Sequence, residues 1–170
     1  MEITAGKLHL RPWRPADAEA VAQALRDPEI RRWATRTPEE PDERTWIADR
    51  AAGWADGSSA SFAITDTTGG EVLGHVRVRT RGDGIGEIGY WILAGARGRG
   101  VAGHAVGAVA RWAFARLDLS RLDLRHAADN PASCRVAQKS GFALARLLTE
   151  PSWDGGGETV EVHLHMLSHA

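Results

Sequence analysis

The residues best suited to chemistry form a glycine- and arginine-rich turn at positions 95–100, GARGRG. An apolar run that ends at Leu93 precedes the turn and is typical of a buried strand. A helical pattern starts at Val101, with apolar residues along one face. Glycines let a backbone approach an anion closely, the first N–H groups of a helix have no partner within the helix, and the helix dipole favours negative charge. Strand, turn and helix together predict a cradle for a pyrophosphate group.

Two common pyrophosphate signatures fit this turn poorly. The P-loop pattern GxxxxGK[ST] is absent, because the Lys139-Ser140 pair lies far from the turn and opens no helix. The dinucleotide pattern GxGxxG is present at 98–103, but the next predicted strand ends in Arg125 and His126 instead of the acidic residue that would hold a ribose. The sequence therefore disfavours a kinase, an NTPase and a Rossmann-type oxidoreductase.

A third signature extends over nearly the whole chain. The segment 97–102, RGRGVA, resembles the Q/R-x-x-G-x-G/A motif of the GNAT superfamily of acetyl-CoA-dependent N-acetyltransferases. The segments 130–133, NPAS, and 136–142, VAQKSGF, resemble the N-x-x-S-x-x-V-x-x-K-x-G-F block of its RimJ/RimL-like branch. The opening LHLR at 8–11, followed by Asp17 and Ala18, is similar to the start of that branch.

The resemblance implies that acetyl-CoA is the co-substrate and assigns residues to it. Backbone amides of residues 99–103 would hold the pyrophosphate, with Arg97 and Arg99 adding charge, and main-chain groups of Ile92 and Leu93 would bind the pantetheine arm. Asn130 is expected to cap a helix and to contact the cofactor. The complete implied set is Ile92, Leu93, Arg97, Gly98, Arg99, Gly100, Val101, Ala102, Gly103, Asn130 and Ser133. A glycine-rich β–α connection with no ligand is the alternative for the turn, and Gly103 stands where relatives often have a hydroxyl residue.

Two side chains are implied in the chemistry. Ser133 would protonate the departing thiolate, although its hydroxyl could merely assist capping. A tyrosine does this in other branches, but the only tyrosine here is Tyr90, which falls on the preceding strand and not on the helix. Glu87 is the candidate general base, with an ordinary exposed acid at a strand start as the alternative. Glu150 and Glu158 are reserves for the base, and a backbone N–H around Leu93 is the expected oxyanion donor.

Metal binding is not expected. His163 and His165 alternate on the last predicted strand and share a face, but no third ligand stands at a recognisable spacing. Cys134 has no evident base partner and is expected to be packed.

Composition sets the class of protein. The chain has 170 residues with 43% hydrophobic and 25% charged residues and a net charge of −1, as expected for one globular domain over residues 1–170 without a nucleic-acid partner. Its single cysteine excludes an internal disulfide and fits a reducing compartment. No apolar run is long enough for a bilayer, so a cytoplasmic protein without membrane association is expected.

The elements predict a mixed α/β fold. The GNAT fold implied by the resemblance has a mostly antiparallel sheet flanked by helices, with a splayed parallel pair formed by the fourth and fifth predicted strands. Thr37 is expected to cap the second helix, with Pro38 and Glu40 in its first turn. The predicted strands are 7–11, 59–65, 72–80, 88–93, 121–126, 142–148 and 160–167, and the predicted helices begin at 15, 37, 101 and 130.

The implied reaction is direct acetyl transfer to a primary amine in a ternary complex. The amine would be a protein N-terminus or a small molecule, chosen by the N-terminal helices and the loop at 153–157. Tryptophans of those helices would pack or line the acceptor site: Trp13, Trp33, Trp46 and Trp54. A non-catalytic acyl-CoA-binding module is the alternative function, and a homodimer is possible for this family.

Overall fold

Eight strands and five α-helices are present in the computed structural model, which describes residues 1–34, 42–68, 70–152 and 156–169. The strands are β1 (Ile3–Ala5), β2 (Leu8–Pro12), β3 (Ser59–Asp66), β4 (Val72–Gly82), β5 (Ile85–Ile92), β6 (Arg121–Ala127), β7 (Ala143–Pro151) and β8 (Thr159–Ser168). The helices are α1 (Ala18–Arg26), α2 (Pro28–Ala34), α3 (Glu43–Asp56), α4 (Val101–Arg116) and α5 (Pro131–Lys139).

All eight strands form one sheet, in the order β1-β2-β3-β4-β5-β6-β8-β7. Neighbouring strands are antiparallel except for β5 and β6, which are parallel and are joined through α4. These two are the fourth and fifth strands expected from the sequence, and their numbers rise by one because the three-residue β1 was not anticipated. The predicted fold class, a mostly antiparallel sheet with one parallel pair flanked by helices, is confirmed.

The two faces of the sheet carry different cores. On one face, α4 covers an aliphatic core in which each fully buried large side chain contributes on the order of 1.5–3 kcal/mol. Its central members are Leu10, Phe62, Ile64, Val76, Val78, Ile88, Val106, Val109, Leu122 and Leu124. On the other face, α1, α2 and α3 cover a smaller cluster that contains Trp13, Val21, Ile30, Trp46 and Trp91.

The N-terminal helices differ from the sequence expectation. Helix α2 was not predicted, although Asp27 and Pro28 are a local start signal: the Asp27 carboxylate accepts the N–H groups of Glu29 and Ile30. Helix α3 begins at Glu43 with Asp42 as its cap. The predicted cap Thr37, with Pro38 and Glu40, lies outside the described residues.

No helix in the four described ranges is both long enough and apolar enough to cross a membrane.

Candidate active site

The site begins where the parallel strands separate. The β5–β6 ladder runs from Ile85 and Arg121 to Ile88 and Leu124 and then stops, while β5 continues along β4 and β6 along β8. Each strand therefore keeps one partner and turns its other edge toward an opening. Backbone groups lose their sheet partners there, so an extended ligand can take the place of the missing ladder.

Main-chain groups of Tyr90 and Ile92 face this opening. Successive residues of a strand direct their N–H and C=O groups to opposite neighbours. Leu93 donates its N–H to Leu73 of the β4 side at 2.9 Å, so Ile92 and Tyr90 point toward β6. Of the strand N–H groups expected around Leu93, that of Leu93 itself does not face the opening, because it donates to Leu73, and the Leu93 carbonyl already accepts from Ala96.

Helix α4 begins at the mouth of the opening, and two glycines shape its start. Gly98 and Gly100 have φ values of 74° and 75°, a left-handed conformation that other residues adopt only at a cost. Gly100 is the N-cap of α4 and has no side chain that could accept a hydrogen bond. The N–H groups of Val101, Ala102 and Gly103, in the first turn, are therefore not capped by it. These amides and the positive end of the helix dipole are the groups that the sequence predicts to hold an anion.

The two arginines of the turn have different surroundings. Arg97 donates from Nε to the Ile92 carbonyl at 3.1 Å and from Nη2 to Asp27 at 2.7 Å. A partly exposed ion pair of this kind contributes less than about 1 kcal/mol, so its main effect is to hold the start of α2 against the end of β5. Arg99 is exposed beside the cradle.

One hydroxyl group from helix α5 and one from strand β5 meet at the opening. The Asn130 side chain caps the helix and accepts the N–H of Ser133 at 3.2 Å, as expected. The Ser133 Oγ lies 2.8 Å from the Tyr90 Oη across the gap between α5 and β5. Burial raises the pKa of Tyr90 to about 12, so its hydroxyl stays protonated at neutral pH. Sequence reasoning set Tyr90 aside because it is not on the helix, yet the strand brings its hydroxyl to the same point.

Glu87 is buried and not an exposed strand-start acid, with 8% of its surface accessible. Its carboxylate accepts from Arg81 at 2.7 Å and lies 3.8 Å from Arg125. Glu87 lines a cavity of about 680 Å³ that also reaches Tyr90 and Ser133. The reserve bases Glu150 and Glu158 are not among the residues that line this cavity.

Comparison with known proteins decides the family. The sequence pattern of the acetyltransferase (GNAT) domain matches residues 7–143. This chain belongs to the GNAT acetyltransferase family. The predicted family, and with it the predicted acetyl-CoA-dependent N-acetyltransferase activity, is thereby confirmed.

Solved GNAT structures share the fold over nearly the full length. A GNAT-family acetyltransferase from Bacillus anthracis has a TM-score of 0.85 at 21% identity, covering 99% of this chain and 98% of that one. RimL, a ribosomal L7/L12 alpha-N-protein acetyltransferase in complex with coenzyme A, has a TM-score of 0.85 at 18% identity over 99% and 98% of the two chains. Spermidine N-acetyltransferase from Vibrio cholerae, in complex with coenzyme A and spermine, reaches 0.82 at 18% identity over 95% of each chain. A search of curated protein sequences found no match.

Aromatic rings form one wall of the GNAT cavity. Trp33, Trp46 and Trp91 line it, whereas Trp13 packs behind Trp46 with ring centroids 5.1 Å apart. Trp54 packs against the aliphatic core, away from the cavity. The expectation that some N-terminal tryptophans line the site and others only pack therefore agrees with the structure.

Charged groups also line the cavity. The described residues that line it include four arginines, Arg50, Arg77, Arg79 and Arg125, and two carboxylates, Asp49 and Glu87. Burial lowers the pKa of Arg50, and repulsion from Arg79 adds to this effect. Burial also lowers the pKa of His75 well below its usual value, assisted by Arg50 and Arg77. The neutral His75 ring accepts a hydrogen bond from the Trp13 indole N–H at 3.1 Å.

Replacing Gly100 by valine should remove acetyl-CoA binding. A β-branched residue cannot hold φ near 75° without strain, so the first turn of α4 must change direction. Losing two charge-assisted hydrogen bonds, each worth about 1.5–3 kcal/mol, weakens binding by roughly 100-fold or more. Isothermal titration calorimetry with acetyl-CoA measures this loss.

Gly95→Ala is the matched control for that substitution. Gly95 has an ordinary φ and open space where a Cβ would stand, so affinity should change little. Wild-type affinity in Gly100→Val would show that the cofactor is held elsewhere.

Proposed function

We propose that the chain transfers acetyl directly from acetyl-CoA to a primary amine, with Ser133 and Tyr90 delivering a proton to the departing thiolate. The observation that carries this mechanism is the 2.8 Å contact between the two hydroxyl groups at the opening between β5 and β6. Acetyl-CoA would lie in that opening, with its pyrophosphate on the first turn of α4. The same contact favours turnover over a module that only binds acyl-CoA, because a binding module has no need of a proton donor there.

The proposed reaction has two bond changes, one C–N bond formed and one C–S bond broken, and three proton transfers. The neutral amine attacks the thioester carbonyl and forms the new C–N bond. Collapse of the tetrahedral intermediate then breaks the C–S bond and releases coenzyme A as a thiolate. Ser133 donates its hydroxyl proton to that sulfur and takes one in turn from Tyr90, which is protonated at neutral pH. The proton lost by the amine goes to Glu87, directly or through water. Before the next turnover Glu87 releases one proton to solvent and Tyr90 regains one from solvent.

Main-chain groups would stabilise the charge that develops on the carbonyl oxygen. The N–H of Leu93 is excluded because it donates to Leu73. We assign this role to the strand N–H groups that face the opening, those of Tyr90 and Ile92.

A double-mutant cycle on Ser133 and Tyr90 tests the proton relay. Ser133→Ala and Tyr90→Phe should each lower kcat by about 10- to 100-fold, and the double variant should be little worse than the poorer single variant, because the two groups act as one unit. Acetyl-CoA affinity should stay within about twofold, since the phosphate cradle is untouched.

Ser120→Ala is the control for this cycle, because its hydroxyl contacts Gly84 at the far end of the sheet. Full kcat in Ser133→Ala would remove that residue from the mechanism. Additive losses in the double variant would show that the two hydroxyl groups act separately.

Two variants test whether Glu87 acts as the general base or only as a partner in an ion pair. Glu87→Gln should lower kcat/KM at neutral pH by at least about 10-fold and flatten its acidic limb. Arg81→Met removes the 2.7 Å ion pair but leaves the carboxylate in place, so it should retain most of the activity. Equal losses in both variants would assign Glu87 to structure alone.

The acceptor is proposed to carry an anionic group near its amine. Four arginines and two carboxylates are among the described residues that line the cavity. Arg79 repels Arg50, although Asp49 attracts it. Arg125 is paired with Glu150. A bound carboxylate or phosphate would relieve that repulsion and could pair with a guanidinium in bidentate geometry.

Paired acceptors test this specificity. Amines with a carboxylate should be acetylated at least about 10-fold more efficiently than their decarboxylated analogues, and Arg79→Gln should reduce that preference. Thiol release measured on peptides, amino acids and matched amines reports kcat/KM for each. Preference for spermidine over all anionic acceptors would contradict the proposal.

A further inference from the structure

Four potential metal ligands meet in the sheet near α5, and acetyl transfer uses none of them. They are His126 on β6, His163 and His165 on β8, and Cys134 on α5, referred to below as the His–Cys cluster. Each offers one ligand atom, and these four atoms lie within 4.8 Å of one another.

The fold brings the cluster together through strand register. His126 stands directly opposite His163, and His165 stands opposite Leu124, so the three imidazoles share one face of the sheet. Helix α5 carries Cys134 to that face. The Nε2 atoms of His126 and His165 are 3.0 Å apart, and the Cys134 Sγ is 3.9 Å from the His165 Nε2.

We propose that the His–Cys cluster binds one zinc ion in tetrahedral coordination. Ordinary zinc–nitrogen and zinc–sulfur bonds place neighbouring ligand atoms about 3.3 Å apart for two nitrogens and about 3.6 Å apart for nitrogen and sulfur. The two observed distances differ from these values by a few tenths of an ångström. Three imidazoles with one thiolate form a ligand set that suits zinc.

Outer contacts already orient two of the rings for a metal. The His126 Nδ1 lies 2.8 Å from the Ala127 carbonyl and donates to it, which leaves the lone pair of Nε2 for an ion. The His163 Nε2 lies 3.7 Å from a Glu161 carboxylate oxygen. The buried Nδ1 of His163 has no hydrogen-bond partner among the described residues, and a cation would satisfy it.

Two of the rings are enclosed by the fold: His126 and His165 are only 3% and 0% exposed. Zinc binding would remove the thiol proton of Cys134. The proton that lies between the Nε2 atoms of His126 and His165 would move to the Nδ1 atom of the ring that donates it. One proton is therefore released to solvent for each ion bound.

The ion would connect β6, β8 and the first turns of α5. Cys134 follows Ser133 in that helix, so coordination would hold the segment that brings Ser133 to Tyr90. The role is structural and does not replace the hydroxyl relay, because no step of acetyl transfer needs a metal.

Metal content and cobalt spectroscopy test the site on the full chain without a histidine tag. Wild-type protein should bind one zinc per chain by elemental analysis after dialysis, with release of about one proton on titration of metal-free protein with zinc. Cobalt in place of zinc should give a tetrahedral spectrum with a thiolate charge-transfer band. At free zinc about 100 times Kd, the unfolding midpoint should rise by roughly 5–10 °C.

Variants separate this site from adventitious binding. Cys134→Ser should lose the thiolate band, and Cys134→Ser with His163→Gln should lower zinc affinity at least 100-fold. His169→Gln is the control, because this histidine follows β8 and contacts Phe114 outside the cluster. Zinc uptake by wild-type protein no greater than by the double variant would overturn the proposal. So would a cobalt spectrum without a thiolate band, which is read on wild-type protein and does not depend on any variant folding.

Discussion

The end of the parallel ladder between β5 and β6 is the constraint on which the site depends. Pairing reaches Ile88 and Leu124 and goes no further, although both strands continue along their antiparallel partners. Two strand edges in the middle of a sheet would normally be closed by hydrogen bonds, because unpaired buried peptide groups are costly. Here the two edges stay open beyond Ile88 and Leu124. Acetyl-CoA bound in this opening, as proposed above, would complete the sheet.

Arg97, in the glycine-rich turn at 95–100, links strand β5 to the start of helix α2. Arg97 holds the carbonyl of Ile92 and the carboxylate of Asp27 together, and Asp27 caps α2. Strand β5 and helix α2, which both contribute residues to the cavity, are therefore linked by one guanidinium. The sequence resemblance implies that Arg97 adds charge near the pyrophosphate, and in the structure this arginine also joins the two elements.

Features that depend on neighbours in the chain could be predicted from the sequence, and features that depend on register could not. The cap at Asn130 and the glycines of the α4 turn were predicted because a few adjacent residues determine them. The same reasoning could have found α2, whose start signal at Asp27 was overlooked. The hydrogen bond from the Leu93 N–H to Leu73 depends on which residues of β5 direct their main-chain groups toward β4, and this alternates along the strand. The Tyr90–Ser133 contact joins residues 43 positions apart, and nothing local in either segment indicates it.

Helix α5 illustrates how one short element can serve two distant groups. Successive residues of a helix point about 100° apart, so Ser133 can reach Tyr90 on β5 while Cys134 turns toward His165 on β8. A contact on either side constrains the rotation of the helix about its axis and so sets the geometry on the other side. A rotation of 20° at a side-chain oxygen about 5 Å from the axis would move it by roughly 1.7 Å, enough to break a hydrogen bond. Any group that fixes Cys134 therefore also fixes the distance between the two hydroxyl groups proposed to move the proton.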